Sequence, residues 1–233
     1  MSSSLLLQAF KGTNPTVPVW FMRQAGRYLP QYQALKAKYT LDEMFHQPEL
    51  AATVTCLPIQ ELHVDAAILF ADILTLPARM GFKIQFTSPN GPWVVNPITT
   101  LKDWDTIHDF EDLGYVRETI ALVNQKLPKH IPLIGFAGSP FSVACYLVAG
   151  GFPQDFNRIF HWIFQETDAF QRLMQILTRN TIRYCHLQKE AGIKVFQLFD
   201  TWAGILRPAD YARLVFPYVQ EIFEKVDLPS IYY

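Results

Sequence analysis

Two arginines flank a glycine in Met22-Arg23-Gln24-Ala25-Gly26-Arg27, directly after the apolar run Val17 to Phe21. A guanidinium stays charged and meets carboxylate or phosphate through a planar fork, while glycine lets backbone come close to a ligand. The segment is therefore a candidate anion-binding loop, against the plainer reading of a solvated loop with two exposed arginines. A second candidate is Asp72, a single carboxylate inside the apolar stretch Ile68-Leu69-Phe70-Ala71-Asp72-Ile73-Leu74. A charge in such surroundings needs a partner or several hydrogen-bond donors. Asp72 either caps the helix that follows, pairs with one of the arginines, or accepts from several donors of a ligand at once. Gly135-Phe136-Ala137-Gly138-Ser139-Pro140 offers small residues and free N–H groups at a helix start, which suit a flat, anionic ligand. The same stretch is also an ordinary strand-to-helix turn. Asp200, in Phe199-Asp200-Thr201-Trp202, is a carboxylate past a strand that could be catalytic or could support or cap its neighbours.

The elements that must hold these residues read as alternating strands and helices. Apolar runs at Val17 to Met22, Ala66 to Phe70, Pro132 to Ala137, Lys194 to Phe199 and Pro229 to Tyr233 are expected as parallel strands. A hairpin with turn chemistry at Ser88-Pro89-Asn90-Gly91-Pro92 is expected between Lys83 to Phe86 and Trp93 to Val95. Helical spacing begins at Pro48 and is expected to kink at Pro58; it recurs over Phe156 to Phe164 and from Phe170 to a stop near Gly192. The alternation fits a (β/α) barrel or a doubly wound sheet, and the pattern alone does not separate them. No GxGxxG follows a strand, which weakens the dinucleotide-binding version. In both folds chemistry sits past the carboxyl ends of the strands, where Arg23, Asp72, Ser139 and Asp200 fall.

Composition narrows the ligand. With 20 basic and 21 acidic residues the chain carries no broad field for nucleic acid or a membrane surface, so an anionic ligand must be held by a few placed cations. The three cysteines, Cys56, Cys145 and Cys185, are far apart and form no CxxC pair, which fits a reducing compartment and no metal site. The N-terminus lacks a signal-peptide pattern, and the expected location is the cytoplasm.

Pro18-Val19-Trp20-Phe21-Met22-Arg23-Gln24-Ala25-Gly26-Arg27 resembles the N-terminal signature of the uroporphyrinogen decarboxylase family, and the stretches around Asp72, Gly138 and Thr201 match that family in order. The resemblance implies a (β/α)8 TIM-type barrel that removes carbon dioxide from the four acetate arms of uroporphyrinogen, giving coproporphyrinogen in haem biosynthesis, with no metal and no organic cofactor. It implies Asp72 and Arg23 as catalytic residues. Arg27, Lys36, Phe136, Tyr146, Phe199 and Thr201 become substrate-binding residues; the family often has arginine at the Lys36 position, so the charge is kept and the fork lost. It also implies a homodimer for the full-length protein.

Against that pattern the chain is expected to be a single barrel domain over residues 1–233, incomplete after about five strands and short of the family's last third. The family's late active-site histidine has no counterpart among His46, His63, His108, His130, His161 and His186. Two alternatives stand beside the decarboxylase: an inactive barrel fragment that binds tetrapyrrole or a partner, and a corrinoid-linked methyltransferase of the same superfamily. The latter needs zinc ligands, and Cys185-His186 falls within a helical stretch.

Overall fold

A computed structural model describes residues 4–86, 91–100, 102–103, 107–153 and 155–233. Four helices lead the chain: α1 (Leu5–Ala9), α2 (Pro30–Lys36), α3 (Leu41–His46) and α4 (Pro48–Leu62). Thr40 starts α3 through a full capping box with Glu43. Helix α4 begins with proline at its first position, where no N–H is needed, and continues past Pro58, the expected kink position, to end where His63 adopts left-handed φ of 53°.

The apolar runs then deliver β1 (Ala67–Ile68), β4 (Leu133–Gly138), β5 (Val195–Phe199) and β6 (Ser230–Tyr232), with the antiparallel pair β2 (Ile84–Gln85) and β3 (Trp93–Val94) between the first two. The tip of that hairpin at 87–90 lies outside the described residues. Helix α5 (Gly114–Lys126) precedes β4; α6 (Pro140–Ala149), α7 (Asn157–Phe164) and α8 (Thr167–Ala191) join β4 to β5; α9 (Pro208–Leu214) and α10 (Phe216–Lys225) join β5 to β6. The main sheet is parallel throughout, in the order β1-β4-β5-β6. Neighbours in space follow the order of the chain with no reversal, which is the arrangement of a barrel wall and not of a doubly wound sheet at its switch point.

One expected strand is absent. Val17 to Met22 runs as coil, joined to the sheet only near one residue: Val19 N donates to Asp65 Oδ2 at 2.7 Å, and Asp65 N donates to Val19 O at 2.8 Å. Pro18 has no N–H to give to a ladder, and Val17, Val19 and Phe21 are exposed, so neither hydrogen bonding nor burial enforces a strand here.

The core lies between the sheet and its helices. Every residue of β4 is buried, as expected for a central parallel strand covered on both faces. Helix α8 packs against it, and its buried Gln188 clamps the strand: Phe136 N donates to Gln188 Oε1 at 3.0 Å and Gln188 Nε2 donates to Phe136 O at 2.9 Å. This contact depends on Gly135, because a Cβ there would stand 2.4 Å from Gln188 Oε1 and 2.6 Å from the Ile193 side chain. Helix α8 stops at Gly192, whose φ of 117° suits glycine alone. We expect Gly135→Ala to destabilise the chain by about 1–3 kcal/mol, the usual cost of overpacking; urea unfolding of the two proteins checks this, and equal midpoints would refute the clamp.

Candidate functional site

A cavity of about 670 Å³ opens at the carboxyl ends of the parallel strands. Its residues come from each strand end in turn. The turn after β1 gives Phe70, Ala71, Asp72 and Ile73; β4 gives Phe136; β5 and the 3-10 turn that follows it (Thr201–Ile205) give Phe199, Thr201 and Trp202; β6 is followed by Tyr233. Helix α6 adds Ser142 and Tyr146, and the N-terminal loop adds Met22, Arg23, Gln24 and Ala25. The cavity lies where a barrel holds its chemistry.

Asp72 is set by local hydrogen bonding. Leu74 N donates to its Oδ1 at 2.8 Å, Asp72 N donates to Thr75 Oγ1 at 3.2 Å, and Thr75 N returns a bond to Asp72 O at 3.0 Å. The side chain thus does two of the things its surroundings allowed: one oxygen caps the turn, and the carboxylate faces the cavity. Burial among apolar groups pushes its pKa up, opposed by the Leu74 N–H and by the positive field of Arg23. No ion pair within 4 Å joins Asp72 to an arginine among the described residues, so the cation acts across the cavity rather than closing it. Gly138 makes room for this turn, since a Cβ would come within 3.1 Å of Ile73 Cβ and 2.6 Å of the Val143 side chain.

Arg23 is held through its neighbour. Gln24 is 1% exposed, donates from Nε2 to Ala66 O at 3.0 Å, and accepts at Oε1 from Phe21 N at 3.2 Å. The Tyr28 hydroxyl also donates to Gln24 O. The loop is therefore bolted to the residue before β1, and sequence reasoning passed over the bolt. Tyr146 projects from α6 beside Trp202, with ring centroids 6.2 Å apart. Burial raises its pKa, the Asp72 charge adds to the rise, and Arg23 opposes it, so all three groups sense one another. Phe136 and Phe199 meet edge to face at 5.3 Å and form an apolar wall.

Of the residues singled out in the sequence, Asp72, Arg23, Phe136, Tyr146, Phe199 and Thr201 line this one cavity. Arg27 and Lys36 do not: both are exposed, and Lys36 lies in the last turn of α2. Trp202, Phe152, Ser142 and Tyr233 line it and were not singled out. Trp202 meets Tyr146, Phe152 and Phe156 in tilted and edge-on contacts, and it joins them from more than forty residues further along the chain, which no local pattern announces. Asp200 lies beneath the floor, buried among hydroxyls. Among the described residues no three His, Cys, Asp or Glu side chains gather as metal ligands, and no helix is long and apolar enough to cross a membrane.

Comparison with known proteins gives a consistent result. A sequence model of the family described as uroporphyrinogen decarboxylase (URO-D) matches residues 1–233. The uroporphyrinogen decarboxylase of Thermodesulfovibrio yellowstonii is 44% identical over 219 residues, 93% of this chain and 64% of that protein. Those of Christiangramia forsetii and Thermus thermophilus are 41% and 42% identical, over 100% and 99% of this chain and 70% and 69% of theirs. The chain thus spans about two thirds of the length of these relatives. Among solved structures, a methyltransferase from Methanosarcina mazei superposes with a TM-score of 0.75 over 97% of this chain and 67% of that one, at 21% identity, a likeness of fold alone.

The raised pKa of Asp72 gives a signed expectation. The folded chain keeps the proton above the ordinary value of 3.8 where the unfolded chain has released it, so this group lowers stability as pH rises through that interval. Asp72→Asn keeps the Leu74 cap and removes the charge. Its stability relative to the parent should therefore rise between about pH 3 and pH 7 in parallel urea titrations, and a fall would mean that the carboxylate is stabilised in the fold.

Proposed function

This chain belongs to the uroporphyrinogen decarboxylase family, and we propose that its cavity carries out that family's reaction, the stepwise loss of carbon dioxide from the acetate arms of uroporphyrinogen. The observation that carries the reading is a carboxylate with an apolar surround and a guanidinium across from it, at the carboxyl ends of parallel strands. The substrate presents four pyrrole N–H groups toward its centre and eight carboxylates around its rim. Asp72 has Oδ1 engaged by Leu74 and, among the described residues, Oδ2 without a partner, so the carboxylate can accept from the inward-pointing N–H groups together.

The chemistry follows from that placement. Protonation of a pyrrole carbon makes the ring an electron sink. The bond between the acetate methylene and its carboxylate then breaks, carbon dioxide leaves, and the electron pair flows into the ring. A second proton reaches the methylene carbon and the ring returns its own, so each arm becomes a methyl group with one proton consumed overall. Asp72 stabilises the positive ring in a cleft of low polarity, where a fixed charge acts more strongly than in water. Arg23 holds the reacting or a neighbouring carboxylate, Tyr146 and Thr201 orient arms by hydrogen bonds, and Phe136 and Phe199 pack against the macrocycle. Arg27 and Lys36, outside the cavity, serve as an outer rim of positive charge for the propionates. A full-length homodimer in the cytoplasm, with no metal or organic cofactor, completes the proposal.

The test is anaerobic incubation with uroporphyrinogen, following products with seven to four carboxyl groups by chromatography. We expect Asp72→Asn to lower kcat by about 10²–10³, the scale for removing one preorganised charge-stabilising group. Arg23→Ala should mainly raise KM. Unchanged turnover by a folded Asp72→Asn protein would remove the residue from this role, and tetrapyrrole binding without carbon dioxide release by the parent would favour the binding-only alternative.

A further inference from the structure

Asp200 is 4% exposed, and both of its oxygens are occupied by the protein. Ser142 Oγ donates to Oδ1 at 2.8 Å, and the Tyr232 hydroxyl donates to Oδ2 at 2.7 Å while accepting from Tyr211 at 2.9 Å. This carboxylate differs from Asp72 in having both oxygens held by the protein and in not lining the cavity. Its partner Ser142 does a second thing: Oγ accepts from Trp202 N at 3.0 Å. One hydroxyl therefore joins helix α6 to the turn that begins with Thr201 and Trp202. Ser142 and Tyr146 are four apart on α6, one helical turn, so the bond that fixes Trp202 also fixes its distance from the tyrosine ring. Asp200 in turn holds the Ser142 hydroxyl pointing the one way that leaves a lone pair facing Trp202 N.

We propose that Asp200 and Ser142 are positioning residues for this site, setting the spacing between the Thr201–Trp202 turn and Tyr146 that receives the arms of the tetrapyrrole. Neither touches a reacting atom. The proposal rests on the decarboxylase reading above and deepens it, because it assigns arm placement to a hydroxyl on the cavity wall and to the buried acid that holds it. Loss of placement weakens the geometry for bond cleavage more than it weakens binding of the whole macrocycle, which has many other contacts.

In the intact protein, Ser142→Ala should lower kcat about tenfold with KM changed by less than about twofold. Asp200→Asn should do the same, and the double variant should be no slower than the slower single, since the two groups act as one device. Tyr232→Phe, at an exposed side chain that leaves the Ser142 bond in place, should give a smaller fall and covers the case in which Asp200→Asn does not fold. Falls that multiply in the double variant, or a raised KM with kcat intact, would overturn the proposal. A ligand-free readout separates it from the function itself: the emission of Trp202, obtained by difference from Trp202→Phe, should shift to the red and become more open to acrylamide in Ser142→Ala. If the parent releases no carbon dioxide, the decarboxylase reading fails, and unchanged Trp202 emission would then overturn the positioning claim on its own ground.

Discussion

Keeping an ionisable carboxylate in an apolar cleft is the constraint that organises this molecule. Asp72 sits past a two-residue strand, with Phe70, Ala71 and Ile73 beside it and burial pushing its pKa up. Three local features offset the cost. The Leu74 N–H and the Thr75 hydroxyl fix the turn, Arg23 supplies a positive field from across the cavity, and Gly138 lets the neighbouring strand end come close enough to support the turn from behind. The rest of the fold maintains these features: Gln24 bolts the arginine loop to the residue before β1, and Thr55 of α4 accepts from Phe70 N at 2.9 Å.

The carboxyl end of the same sheet carries a second acid, Asp200, and the contrast between the two explains their different duties. Burial raises the pKa of both Asp72 and Asp200. Around Asp200 the hydroxyls of Tyr232 and Ser142 each hold one oxygen, and the group is buried away from the cavity lining. Around Asp72, among the described residues, Oδ1 alone is taken. An acid with its second oxygen facing a cavity can meet a ligand; an acid closed off by hydroxyls can only hold its neighbours in place.

Much of this was legible in the residues, for physical reasons that can be named. The runs at Leu133 to Gly138 and Val195 to Phe199 read as strands because a strand buried on both faces must be apolar along its length. Asp72 stood out because a lone charge in an apolar stretch demands compensation. Val17 to Met22 misled for the converse reason: apolar character signals a strand only when something buries it, and here Pro18 and the exposure of Val17, Val19 and Phe21 leave it as coil. Gln24, Ser142 and Trp202 were not legible as site residues. Their significance lies in bonds and ring contacts to residues 42, 58 and 56 positions away, and local spacing carries no trace of such contacts. Arg27 and Lys36 show a different limit: residue type suits them to an anion, but it carries no information on whether the fold brings them to the cavity lining, and they lie outside it.

The central claim is that the Asp72 carboxylate lies under the centre of the bound macrocycle. A crystal structure of the protein with coproporphyrinogen, grown under reducing conditions, measures this directly. The account predicts all four pyrrole nitrogens within about 3.2 Å of the Asp72 oxygens, a normal hydrogen-bond distance, with rim carboxylates facing Arg23. A macrocycle seated with its nitrogens turned away from Asp72, or bound outside this cavity, would contradict it.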